Sequence, residues 1–153
     1  MRNRNVSFVY LQNPSLFQVS PLRAPGFQCY VLNIVGFKKR VATYVNLALA
    51  KDFNYLCFSP TVDVLQLVLS RNDGRPVLGE FESFSLINTY NKQVDRVNTV
   101  KAADLFTDNL HPSLVVGDLN VHMLYTDPTR NMSSTECRKG EQYFRVAGLG
   151  ALP

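Results

Sequence analysis

Leu114-Val115-Val116-Gly117-Asp118-Leu119-Asn120-Val121-His122 begins as an apolar run and turns polar at every second position. Leu114 to Gly117 has the composition of a short buried strand. Alternate residues of an extended chain share one side, so Asp118, Asn120 and His122 are expected to converge at the mouth of a sheet. A carboxylate, a carboxamide and an imidazole placed together can hold a hydrated cation, take a proton or orient a phosphate. The same letters also suit a plain turn, because Asp and Asn cap their own backbone and Gly accepts positive φ.

Upstream of this run the chain reads mostly as strands. Residues 6–11, 27–34, 41–47, 53–59, 62–69 and 84–91 are rich in β-branched, aromatic and aliphatic side chains. Gln12-Asn13-Pro14 is expected to end the first strand, and Pro60 to bound the fourth. Asn72-Asp73-Gly74 predicts a tight hairpin turn. Leu47-Ala48-Leu49-Ala50 could be a helical turn but is too short to decide. Apolar residues at 94, 97, 100, 105 and 106 predict a helix over 97–109. A second helix is expected over 134–147, with Ser134 as its cap and Gly148 at its end. About seven strands and two helices imply a layered α/β (α+β) domain on a mostly antiparallel or mixed sheet.

The bulk properties agree with one globular domain. The chain has 153 residues, of which 46% are hydrophobic, enough to bury a core and too many for a disordered segment. No apolar run approaches the length of a membrane span. The basic residues near Met1 precede a strand-like segment rather than a signal-peptide core. Cys29, Cys57 and Cys137 are odd in number and widely spaced, which suits free thiols in a reducing compartment. A net charge of +4 favours a polyanionic partner such as nucleic acid. Lys38-Lys39-Arg40 is the one compact basic run and reads as a solvated turn between two strands.

Gly117-Asp118-Leu119-Asn120-Val121-His122 resembles the Gly-Asp-Phe-Asn-x-His signature of the endonuclease/exonuclease/phosphatase superfamily. That group includes DNase I-like nucleases, apurinic endonucleases and the endonucleases of non-LTR retrotransposons, which accompany a reverse transcriptase. The continuation to Asp127-Pro128-Thr129-Arg130 is most similar to the retrotransposon type. Two further segments carry the resemblance. Phe8-Val9-Tyr10-Leu11-Gln12-Asn13-Pro14 looks like the family strand ending in Gln-Glu-Pro, whose Glu binds the metal; here that position is Asn13. Ser85-Leu86-Ile87-Asn88-Thr89-Tyr90-Asn91 is similar to the strand whose Tyr donates a hydrogen bond to the scissile phosphate, with Asn88 or Asn91 in support.

The resemblance implies a DNase I-like β-sandwich with flanking helices and metal-dependent hydrolysis of a phosphodiester in DNA. It implies Mg²⁺ or Mn²⁺ held by Asp118, Asn120 and Asn13. It also implies that Asp118 positions or deprotonates the attacking water, Asn120 orients substrate, Tyr90 binds phosphate and His122 sits beside them. An intracellular or nuclear location would follow. The family also closes on Ser-Asp-His, which does not occur after Asp118, where His122 is the only histidine. The sequence therefore looks like one incomplete domain over 1–153, trimmed at both ends, with an uncovered sheet edge or apolar face as a consequence. Two other readings stand beside the nuclease: a non-catalytic remnant that only binds nucleic acid, and a phosphatase acting on lipid or nucleotide substrates.

Overall fold

Leu65, Leu67 and Leu69 alternate with Gln66, Val68 and Ser70 along one strand, and all three leucines are buried. That period of two builds most of the molecule. The computed structural model describes residues 6–16, 23–31, 39–94, 97–98, 100, 105 and 111–119, with the backbone alone at 13–16, 39, 93–94 and 97–98. The described elements are β1 (Phe8–Leu16), β2 (Phe27–Val31), β3 (Lys39–Asn46), α1 (Leu47–Ala50), β4 (Phe53–Thr61), β5 (Val64–Arg71), β6 (Ser83–Tyr90), β7 (Gln93–Val94), β8 (Val97–Asn98) and β9 (Ser113–Asp118).

The strands form two main sheets. The first is antiparallel, in the order β1-β3-β2. The second runs β4-β5-β6-β9; its first three strands are antiparallel and β9 lies parallel to β6. β7 and β8 make a separate two-residue ribbon. The fold is therefore mostly β, and among the described residues helix is confined to α1 and the single position Leu105.

Two apolar clusters flank the second sheet. Val45 of the first sheet packs with Leu67, Leu69 and Leu86, bordered by Phe8, Tyr30, Phe53, Tyr55 and Phe84. This cluster is the filling between the sheets. On the opposite face Val64 and Ile87 pack with Val100 and Leu105, bordered by Val115 and Leu119. β6 thus reads apolar on both sides, and Leu86, Ile87, Asn88 and Thr89 are all buried.

The seven long strands fall where the apolar alternation puts them, with several corrections. β1 runs through Pro14 to Leu16, although its register slips between Gln12 and Leu16. β4 likewise runs through Pro60 to Thr61, with a register shift after Phe58. Both are edge strands, where a proline need not donate to a neighbour. Val62 and Asp63 belong to the turn before β5. Asn46 ends β3 and starts α1: its side chain accepts from the Ala48 amide at 2.9 Å and donates to the Val6 carbonyl at 3.0 Å.

Gly74 takes a positive φ of 72°, as the Asn72-Asp73-Gly74 turn requires, but pairing resumes only at Ser83 opposite Ser70. The connection is accordingly longer than a tight hairpin. Residues 97–98 are extended in β8 rather than helical, while Leu105 is helical and the remainder of the expected 97–109 helix lies largely outside the described residues. The expected 134–147 helix and Cys137 also lie outside them, and neither Cys29 nor Cys57 is in a disulfide. No helix among the described residues is long and apolar enough to cross a membrane.

Candidate functional site

The parallel pairing of β6 and β9 sets Tyr90 directly beside Asp118 at the carboxyl ends of both strands. Adjacent strands lie about 4.8 Å apart, so the phenol and the carboxylate start from neighbouring backbone positions on one side of the sheet. Tyr90 is half-buried and Asp118 is exposed. Between the same two strands, Gly117 sits against Thr89. Its φ of 147° suits Gly alone, and a Cβ there would fall on the Thr89 carbonyl oxygen, 2.8 Å from the carbonyl carbon and 2.9 Å from the nitrogen. The absence of a side chain at 117 is therefore what lets β9 reach Asp118 in register.

β1 reaches the same rim from the other sheet. Gln12 donates from Nε2 to Oδ1 of Asn88 at 2.8 Å, two residues before Tyr90. Asn13 follows Gln12 on the β1 backbone. Three of the segments singled out in the sequence thus end near one another. Asn120 and His122, and the side chain of Asn13, lie outside the described residues. Tyr10, on the approach to Gln12, has its phenol pushed up to about 12 by burial and stays neutral at physiological pH.

Asn88 and Asn91 are both bonded to the scaffold. Asn88 is fully buried, and its Nδ2 donates to the Ala42 carbonyl at 2.9 Å, the Leu11 carbonyl at 3.3 Å and the Thr43 hydroxyl at 3.3 Å. One side chain of the second sheet therefore holds both β1 and β3 of the first. Asn91, also fully buried, donates from its backbone to the Asp118 carbonyl at 2.7 Å and from Nδ2 to the Leu119 carbonyl at 2.8 Å. Its Oδ1 accepts from the Val100 amide at 3.0 Å. Asn91 thus fixes where β9 stops, and so where Asp118 stands.

An ion pair closes the rim. Arg40 extends from β3 and donates from one Nη to both carboxylate oxygens of Asp63, at 3.0 and 3.1 Å. The Asp63 carbonyl accepts the Tyr90 amide at 2.9 Å. Arg40 is therefore a strand residue with a buried partner, not part of a solvated turn. The sequence holds no local sign of this, since Arg40 and Asp63 are 23 residues apart. Asp63→Ala is expected to cost about 2–3 kcal/mol, read as a lower urea midpoint. That is below the typical figure for a wholly buried pair because the Arg40 side chain is 24% exposed. An unchanged midpoint would show that the pair does not brace the rim.

Among the described residues no three His, Cys, Asp or Glu side chains lie together where they could hold a metal ion. The described rim has two carboxylates, and the one on Asp63 is taken by Arg40. Asp118 with amide oxygens from Asn13 and Asn120 is a poor donor set for a hard divalent cation, which favours several anionic oxygens. Among the described residues the donor set falls short of the expected Mg²⁺ or Mn²⁺ site. Comparisons with family models, with curated proteins and with solved structures returned no match.

Proposed function

We propose that the chain is an endonuclease/exonuclease/phosphatase-type domain whose rim binds a nucleic-acid phosphodiester and hydrolyses it poorly or not at all. The observation that supports this most is the register pairing of Tyr90 with Asp118, at the rim that Gln12 also reaches. Two facing sheets with a mixed second sheet are compatible with a DNase I-like sandwich. On this reading Tyr90 donates a hydrogen bond to a phosphate oxygen, and Asp118 orients water or takes its proton. Asn120 orients the substrate and His122 lies beside it. The partner is DNA, the location intracellular or nuclear, and the net charge of +4 favours the encounter.

Asn13, standing where the family strand carries a metal-binding Glu, favours a second reading, a nucleic-acid-binding remnant without turnover. A plasmid-nicking assay with Mg²⁺ and with EDTA separates the two. The natural chain is expected to nick barely above the EDTA control, because loss of one preorganised charge-stabilising group commonly costs on the order of 10²–10³ in rate. Asn13→Glu is expected to raise Mg²⁺-dependent nicking at least about tenfold, and Asp118→Ala to abolish the gain. Strong nicking by the natural chain, lost in Asp118→Ala, would make it a working nuclease. DNA retention that is weak at low salt and insensitive to ionic strength would sink both readings.

A further inference from the structure

β4 is the outermost strand of the second sheet, and among the described residues no strand pairs with its free edge. Such an edge presents backbone N–H and C=O groups at the spacing another strand needs. Edges are normally blunted by charge, by proline or by a bulge. β4 has Pro60 and a register shift, but both lie at its rim end. The preceding Phe53-Asn54-Tyr55-Leu56-Cys57-Phe58 contains no charge, no proline and no glycine. Leu56 is 62% exposed and Phe58 50% exposed. Tyr55 packs on the core between the sheets, so by alternation Leu56 and Phe58 share the opposite face.

We propose that β4 pairs antiparallel with β4 of a second copy of this chain, joining two sheets across a two-fold axis. Several observations select this occupant. The free edge takes a strand and not a helix, because only a strand satisfies a row of backbone groups at that spacing. A strand carrying charge would set that charge against Leu56 and Phe58 without a partner, whereas β4 itself carries none. An antiparallel self-pairing is closed by symmetry and places every contact twice. With Cys57 at the axis, Leu56 of each copy lies opposite Phe58 of the other, which covers the exposed apolar pair. The other sheet ends on the same flank: Tyr30 of its edge strand β2 meets Tyr55 with ring centroids 5.8 Å apart. A second copy at β4 therefore approaches β2 as well.

Sedimentation velocity over a concentration series, under reducing conditions, tests this with the natural chain, Leu56→Lys and Phe58→Lys. Both substitutions fall on exposed side chains, and far-UV circular dichroism checks that the fold is kept. The natural chain is expected to pass from monomer to dimer as concentration rises. Each lysine variant is expected to weaken the association at least tenfold. Amide hydrogen exchange across 53–58 should slow with concentration in the natural chain and not in the variants. A natural chain that stays monomeric, or assembles without limit past the dimer, would overturn the proposal. So would a dimer that survives both substitutions, or one whose 53–58 amides exchange at the monomer's rate.

Discussion

Gly117→Ala is expected to be the most damaging single-methyl change at the described glycines. The added Cβ meets backbone, not a side chain that could swing away, and its nearest atoms belong to Thr89 in the central strand β6. Relief requires β9 to move away from β6, which breaks the parallel ladder from Ser113 to Asp118. The φ of 147° adds strain for any residue with a Cβ, itself on the order of 1–3 kcal/mol. Backbone overlap and strain together place the loss at about 4 kcal/mol or more, among the largest that point substitutions cause. Urea denaturation should show a large fall in midpoint, and hydrogen exchange should show β9 amides losing protection first. A variant with the natural midpoint would mean that β9 does not hold the register described.

The second large effect is expected at Asn88. Removing its carboxamide strands the Gln12 amide, the Leu11 and Ala42 carbonyls and the Thr43 hydroxyl at once. Each buried polar group left without a partner costs roughly 1–3 kcal/mol, and some of these will find others, so Asn88→Ala should lose about 3–4 kcal/mol. Asn88→Leu separates bonding from volume. It fills the space but strands the same partners, and it should lose nearly as much. If Asn88→Leu is as stable as the natural chain, the sheets are joined by packing alone. Asn88→Asp should fare worse as pH rises above the ordinary carboxylate range, because it places a charge in a fully buried position.

The strands were legible because burial against one or two faces writes a period of two or a continuous apolar run, and both patterns are plain in Val64–Arg71 and Ser83–Tyr90. The meeting of Tyr90 and Asp118 was legible for a related reason: each closes a strand, so both fall at the end of a sheet. The offices of Asn88 and Arg40 were not. An asparagine on a strand looks alike whether it faces a ligand or the opposite sheet, and only the packing of β1 and β3 over β6 decides it. Arg40 reads as one of three basic neighbours until Asp63 is brought to it from the other sheet. Pro14 and Pro60 misled because the rule that proline ends strands depends on whether a neighbour waits on both sides, and sequence order does not give strand order.

The parallel placement of β9 also governs when this rim can come into being. Six of the strands, from β1 to β6, are complete once residue 90 has been made, and the antiparallel pairings among them all lie within that length. β9 must return past a long connection to lie beside β6, and the Asn91–Leu119 bond alone closes a separation of 28 residues. Such distant closures are slow, because loop entropy is lost before the contact rewards it. During synthesis the chain therefore waits as an incomplete sandwich with the β6 edge open, in the interval when nascent strands are most exposed to mispairing. Asp118 is the last described strand residue to arrive, so the described rim is completed only after the antiparallel strands and inherits their errors in register.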